Sequence, residues 1–292
     1  MIGDRTAGIL FTLLGGFLFS VMALLIKVQA TDLPSIQLSF FRALFGALTL
    51  VALVPVVGIA EIKPTRPRKL VERAVVGTGA MLFGFYSFAH MPIETATLVT
   101  FLRPLLLVPL AYMFLNEVPS ALRILAIIVG LIGVAVAVGP THGLLFPAVV
   151  GILGAFLVAV TSVQIKGLTT SETTFRIAFF NEVLSVALTA PAAFLLWHHV
   201  SIERVIPLMS IGALGVGGQY AVVHGFRRLD ATLAASLDYM RFVFAAVLGA
   251  LFLGATPAST TILGAVLIVV AAAFAQFENR IAGIFKSRMI AK

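Results

Sequence analysis

Apolar runs about twenty residues long recur along the chain, broken by charges, proline and glycine. A helix of about twenty residues crosses the hydrocarbon core of a bilayer, and such breakers mark where one run stops and the next begins. The pattern predicts ten membrane-spanning helices, over residues 7–27, 36–57, 71–90, 94–115, 120–138, 147–166, 175–197, 204–225, 231–253 and 258–277. The runs are solid rather than alternating. A transmembrane β-barrel would show stretches of about ten residues with apolar and polar positions in turn, so the expected fold is an all-α integral membrane protein. The first run follows Arg5 as the core of a signal peptide would, but it exceeds the roughly 7–15 apolar residues of such a core. It ends at Lys27 without a clear small-residue cleavage site and is expected to stay on the chain.

Composition narrows the class further. Of 292 residues, 60% are hydrophobic and 11% charged, with a mean hydropathy of +1.11, whereas a soluble domain carries about 25% charged residues. So few polar groups cannot cover a water-facing surface, which excludes a soluble enzyme, a disordered chain and a nucleic-acid binder. The net charge of +8 instead reports topology, because cytoplasmic loops are enriched in Lys and Arg. Fourteen basic residues fall on one side: Lys63, Arg66, Arg68, Lys69 and Arg73 in one connection, Arg5, Arg123, Lys166, Arg227 and Arg228 in others, and Arg280, Lys286, Arg288 and Lys292 in the tail. Only Lys27 and Arg204 fall on the other. Both termini are therefore expected in the cytoplasm, with the chain in the cytoplasmic (inner) membrane.

The ten spans divide into two similar sets. Leu14-Gly15-Gly16-Phe17-Leu18 and Ile26-Lys27 align with Leu153-Gly154-Ala155-Phe156-Leu157 and Ile165-Lys166 at an offset of 139, as do Phe40-Phe41 with Phe179-Phe180. At an offset of 138, Phe88 meets Phe226, Arg103 meets Arg241 and Pro119 meets Pro257. Two five-helix repeats follow, over 7–138 and 147–277, with a basic tail over 278–292. An odd number of spans per repeat inserts the second upside down relative to the first. That is the inverted-repeat design of secondary transporters, whose substrate site lies near the midplane between the halves.

Two stretches carry a family resemblance: Phe101-Leu102-Arg103-Pro104 through Asn116-Glu117, and Tyr239-Met240-Arg241-Phe242-Val243-Phe244-Ala245-Ala246 through Leu253-Gly254. With them the chain resembles a ten-helix member of the drug/metabolite transporter superfamily built from two EamA-type domains. The resemblance implies a cofactor-free secondary transporter, and some similar sequences are carriers of S-adenosylmethionine or amino-acid-type metabolites. Two positions depart from it. Arg103 stands where the family often has an acid before the proline of the fourth helix, and Ala255 stands where an acid often closes the ninth. A positive charge at the first position makes cation or drug export a poorer expectation.

Ionisable groups at mid-bilayer cost several kcal/mol unless they face a polar cavity or a partner. The candidates are Arg42, Arg103, Glu182, Asp238 and Arg241. At 1.5 Å of rise per residue, Arg103 and Arg241 lie roughly 14–15 Å into their helices from opposite sides, close to the midplane. Arginine grips carboxylates and phosphates through its planar fork. The expected substrate-binding set is Arg103, Arg241, Arg42, Asp238, Tyr239, Gln219 and Tyr86, with structural ion pairing as the competing role, most directly for Asp238 and Arg241 one turn apart. Thr161, Ser162, Gln164, Tyr220 and His224 line the same path or simply bond neighbouring helices. Glu182, with no base one turn away on its own helix, is the candidate for proton coupling unless an arginine of another helix pairs with it. Pro104 and Pro109 remove backbone donors from the fourth helix and are candidate hinges or plain bends. Helices five and ten, without mid-span charge, are expected to lie away from the cavity. Ala126-xxx-Gly130 and Ala246-xxx-Ala250-xxx-Gly254 read as close-packing seams.

No enzyme is expected: His-Glu-x-x-His, a P-loop lysine motif and Gly-x-Ser-x-Gly are all missing. No metal or cofactor is expected either, since cysteine is absent and the neighbours His198 and His199 do not face one ligand. The expected partners are a small-molecule substrate, the lipid bilayer and, if transport is proton-driven, a coupled proton. The expected function is alternating-access transport of a small anionic or zwitterionic metabolite; the alternative is export of amphipathic drugs or metabolites.

Overall fold

The computed structural model describes residues 2–103, 105–106, 110, 121–139, 143–168, 171–228, 237, 240–271 and 273. Among them lie ten α-helices: α1 (Ile2–Gln29), α2 (Ser35–Val57), α3 (Pro67–His90), α4 (Ile93–Thr100), α5 (Ala121–Val138), α6 (Leu145–Leu168), α7 (Thr174–Leu195), α8 (Ile202–Arg228), α9 (Met240–Leu253) and α10 (Ser259–Ala271). A 3-10 turn at Ile59–Ile62 links α2 to α3. Each helix falls on one of the ten apolar runs. Proline sets several starts: Pro34 and Pro92 cap α2 and α4, and Pro67 opens α3, positions where its fixed φ fits and its missing N–H costs nothing. Gly139 and Gly254, at φ 69° and 63°, take the left-handed turn that ends α5 and α9.

The surface is that of a protein in lipid. Ile124, Ile128, Leu131 and Ile132 on α5, Val243, Val247 and Leu251 on α9, and Ile262, Val266 and Val270 on α10 are exposed at helical spacing. Apolar stripes of this extent are a liability in water and an ordinary surface in hydrocarbon. Among the described residues, five helices are long and apolar enough to cross a membrane on their own. α3 is less apolar because Arg68, Lys69, Glu72 and Arg73 occupy its first turns.

Several packed pairs recur when each helix is exchanged for the one five places along. α1 packs on α8 as α6 packs on α3, α2 on α8 as α7 on α3, and α1 on α9 as α6 on α4. α2 packs on its own counterpart α7, and α4 on α9. α5 and α10 pair at glycine: a Cβ added to Gly264 would lie 2.4 Å from the Gly133 carbonyl oxygen, and the Thr261 hydroxyl donates to the Ala137 carbonyl at 3.4 Å. Lipid tails are as apolar as leucine, so this contact depends on small residues that let backbones approach.

The sequence leaves both small-residue seams open to packing within the subunit or between subunits. Gly130 admits Leu105 and Leu102, just past α4, so the Ala126–Gly130 face packs inside the subunit. On α9 the small residues buried inside the subunit are Ala245 and Gly249, with Gly249 against Ile93 and Glu94 of α4, whereas Ala250 and Gly254 are exposed.

α8 also packs closely on α2. A Cβ at Gly212 would lie 2.6 Å from Phe45 Cβ and 2.7 Å from the Gly46 nitrogen, atoms that cannot yield without moving backbone. Gly212→Ala is expected to destabilise the detergent-solubilised protein by about 1–3 kcal/mol, less about 1 kcal/mol regained in helix propensity. Gly217→Ala, whose Cβ would touch only Leu18 at 3.7 Å, is expected to be neutral or stabilising. Equal melting temperatures for the two variants would contradict this packing.

Candidate substrate cavity

α1, α2, α3, the α4 segment, α6, α7, α8 and α9 enclose a cavity of about 280 Å3. Its walls are mixed. Phe19, Met22, Phe85, Phe88 and Val99 supply apolar surface, while Arg42, Arg73, Arg103, Arg241, Thr100, Thr161, Asn181 and Gln219 supply polar groups. α5 and α10 contribute no described lining residue. Arg103 and Arg241, matched in the repeat at an offset of 138, thus converge on one cavity from two helices. Arg241 lies over the Phe19 ring, 4.8 Å from its centroid, a favourable cation–π placement. Its backbone carbonyl accepts from the Ser20 hydroxyl at 3.2 Å.

Arg42 and Glu182 form the central ion pair. Arg42 Nη1 donates to both carboxylate oxygens of Glu182, at 2.7 and 2.6 Å. The side chains are 11% and 1% exposed. Two glycines make room for the pair: a Cβ at Gly46 would lie 3.0 Å from Glu182 Oε2, and one at Gly215 would lie 3.1 Å from Arg42 Nε. Glu182 is therefore not without a base, as its own helix alone implied. The base comes from α2, 140 residues away.

Other expected residues scatter. Gln219 and Thr161 line the cavity. Tyr86 is not among its lining residues: its ring stacks on His90 with centroids 4.1 Å apart and meets Phe146 edge-on. It stands in the last turn of α3, where that stacking turns it to the helix end. Gln164 lines a separate small cleft with Lys69 and Glu72, and His224 packs against Phe11 and Tyr220. Asp238, Tyr239, Pro104 and Pro109 lie outside the described residues.

Two buried charges escape a reading of the sequence. Arg73 counts there as a loop residue, yet it sits in α3 at 6% exposure and lines the cavity. Its Nε and Nη1 are buried with no hydrogen-bond partner among the described residues. The signal is its place within an uninterrupted helical run four residues past Lys69. Glu94, in the first turn of α4, is 4% exposed; it lies beside the cavity rather than in its lining.

Polar clamps tie the helix ends. Where α1 meets α2, Asp32 pairs with Arg204 at the start of α8. Gln37 there exchanges hydrogen bonds with the backbone of His198, donating at 2.9 Å and accepting at 3.1 Å. Where α6 meets α7, Glu172 Oε1 accepts from the backbone N–H of Thr65 and of Arg66, and Oε2 accepts from Arg176 at 2.8 Å. Arg176 also donates to the carbonyls of Glu61 and Ala60, and Thr173 donates to the Glu61 carboxylate at 2.6 Å. Hydrogen bonds from the Arg204 guanidinium and the Thr31 hydroxyl hold the Asp32 carboxyl below its ordinary range. For Glu172, burial pushes upward, but the bonds from Arg176, Arg66 and Thr65 outweigh it and hold the carboxyl low.

These features define a multi-pass membrane transporter. A profile of the EamA-like transporter family matches residues 6–139 and again 145–276, and the chain belongs to that family, within the drug/metabolite transporters. It is 32% identical over 272 residues to the pseudopaline exporter CntI of Pseudomonas aeruginosa, covering 91% of this chain and 94% of that protein. It is 27% identical over 274 residues to the S-adenosylmethionine uptake transporter of Rickettsia prowazekii, covering 94% and 93%. It is 27% identical over 281 residues to human solute carrier family 35 member G1, covering 90% and 76%. A solved crystal structure shares the fold at a TM-score of 0.66 and 21% identity, covering 94% of this chain and 98% of that one.

The Glu172 clamp has a pH signature. A carboxyl held low in the folded protein contributes fully above its unfolded value of about 4.3, and the contribution disappears as pH falls through the depressed folded value. The melting-temperature gap between the native protein and Glu172→Gln is expected to stay constant from about pH 7 to 5 and to close below about pH 4. A gap that closes near neutrality, or persists unchanged in acid, would contradict the assigned bonding.

Proposed function

We propose that this protein carries a small anionic or zwitterionic metabolite, amino-acid-like or otherwise bearing a carboxylate or phosphate, across the cytoplasmic membrane, by alternating access between inverted repeats at 7–138 and 147–277, with both termini in the cytoplasm. The observation that carries this reading is the convergence of Arg42 of α2, Arg103 just past α4 and Arg241 of α9 on one cavity. Planar guanidinium forks that border a common cavity can grip a carboxylate or phosphate through two parallel hydrogen bonds. Asp238 and Tyr239, next to Arg241 in sequence, belong to the same proposed site, and Pro104 and Pro109 to a hinge beside Arg103. The phenyl and methionine walls accept an amphipathic solute, the second reading; it is favoured if apolar cations bind as well as anions do.

The test is a thermal-shift screen of purified protein against anionic and zwitterionic metabolites, since a ligand of the folded state alone raises its apparent stability by mass action. Arg103→Ala is expected to abolish the response while leaving folded protein in the membrane, and Arg103→Lys to restore little of it, lacking the planar fork. An unimpaired response in Arg103→Ala would overturn the assignment.

Glu182 is the proposed coupling residue, and its partner supplies the mechanism. A proton on Glu182 would release the Arg42 guanidinium toward the cavity, and substrate bound to Arg42 would free the carboxyl to accept a proton. In proteoliposomes, Glu182→Gln is expected to lose accumulation driven by a pH gradient while retaining solute exchange. Accumulation that persists in Glu182→Gln would remove Glu182 from the coupling step.

A further inference from the structure

The close packing of α3 on α6 stops short of one end. A Cβ at Gly79 would lie 3.2 Å from Leu157, and one at Gly154 would lie 3.1 Å from Phe83, so the two helices meet there antiparallel. Continued toward the start of α3, the same register sets Glu72 opposite Gln164 and Lys69 opposite Gly167. A cleft of about 180 Å3 opens at that place, lined by Lys69, Glu72, Gln164, Gly167 and Leu168. Glycine accounts for the opening, since a Cβ at Gly167 would meet nothing within 4 Å. Leu168 is buried and closes the inner side by packing on Leu70. α3 begins at Pro67 and α6 ends at Leu168, so the cleft lies within about two turns of the helix ends, where the membrane surface falls.

The groups left unbonded in this cleft are donors. Glu72 is already engaged, accepting from Arg68 Nε at 3.0 Å. Lys69 is exposed and makes no ion pair among the described residues. Gln164 Oε1 is buried, which turns the amide nitrogen to the cleft that the side chain lines. Beyond the cleft the same two helices turn apolar side chains outward: Val71, Val75 and Phe83 on α3, Val163 and Leu153 on α6. We propose that the cleft holds the headgroup of an anionic phospholipid, its phosphate on the Lys69 ammonium and the Gln164 amide, its acyl chains along Val75 and Val163. A phosphate diester only accepts hydrogen bonds, as this donor set requires. The attached chains account for the apolar flanks, which a free phosphate would leave unused. A zwitterionic headgroup carries the same phosphate but sets an ammonium among Arg68, Lys69 and the nearby Lys63 and Arg66. Basic pockets between helices at the membrane surface hold anionic headgroups by this chemistry. The site lies apart from the central cavity and does not depend on the transport reading.

The probes are phosphatidylglycerol, phosphatidylethanolamine with the same acyl chains, and soluble glycerol phosphate. Each is titrated into purified full-length protein in a neutral detergent, and the melting temperature is followed, because a ligand of the folded state raises it by mass action. Phosphatidylglycerol is expected to raise the melting temperature at concentrations where the other two leave it unchanged. Lys69→Gln is expected to need about fivefold more phosphatidylglycerol for the same rise, the loss of one basic contact to an anionic lipid. Gly167→Leu keeps every charge and fills the cleft, and is expected to need at least as much more. Lys63→Gln removes a basic residue of the same connection that does not line the cleft, and is expected to titrate as the native chain does.

Three outcomes would overturn the proposal. The first is that phosphatidylglycerol stabilises the protein no better than phosphatidylethanolamine does. The second is that glycerol phosphate alone stabilises it as well as the lipid, which would make the cleft a site for free phosphate. The third is that Lys69→Gln and Gly167→Leu titrate as the native chain does, or that Lys63→Gln shifts as far as they do, which would make the attraction one of diffuse charge. None of these outcomes touches the transport reading, because no residue of the central cavity is altered.

Discussion

The Arg42–Glu182 ion pair is the interaction on which the centre of this protein depends. It joins α2 to α7, which are counterparts in the two repeats, with side chains only 11% and 1% exposed. Breaking such a pair by removing one partner typically costs about 3–5 kcal/mol, because the survivor is left buried and alone. The pair also dictates its surroundings. Gly46 and Gly215 border its atoms closely enough that any side chain there would press on them, so α2, α7 and α8 approach at the pair rather than around it. The same closeness sets the walls of the cavity that Arg42 and Asn181 line.

α2 and α7 run antiparallel, as the clamps at their ends show. The Asp32 clamp brings the start of α2 to the connection that follows α7, and the Glu172 clamp brings the start of α7 to the connection that follows α2. Exchanging each helix for the one five places along maps one clamp onto the other. The helix pair thus has a polar fastening at each end, separated by the length of a helix of 23 residues, roughly 35 Å, and an ion pair between them.

Much of this is legible in the chain. Ten apolar runs become ten helices because a bilayer fixes helix length and leaves each backbone group to bond within its own segment. Arg103 and Arg241 stand out because a charge at mid-span, repeated at the matching position of the other half, must face a cavity or a partner. What stays hidden is whatever depends on the azimuth of a helix or on a partner far away in sequence. Tyr86 lies on a helix that lines the cavity but stacks toward the helix end. The neighbours of Glu182 on its own helix include no base, whereas its base lies on α2. Arg73 is hidden for a different reason: four charges in six residues mask the fact that the last of them has entered the helix bundle.

That masking bears on how charge is distributed in the cavity. A transporter must hold its substrate firmly enough to select it and loosely enough to release it. A site in which every guanidinium had a permanent carboxylate would have little to offer an anion, and one in which none did would scarcely fold. Arg42 has a partner and sits at the junction of the halves, so its charge stabilises the assembly. Arg73, about two turns along α3, lines the same cavity with Nε and Nη1 buried and unbonded among the described residues, and buried donors left in that state are the exception in folded proteins.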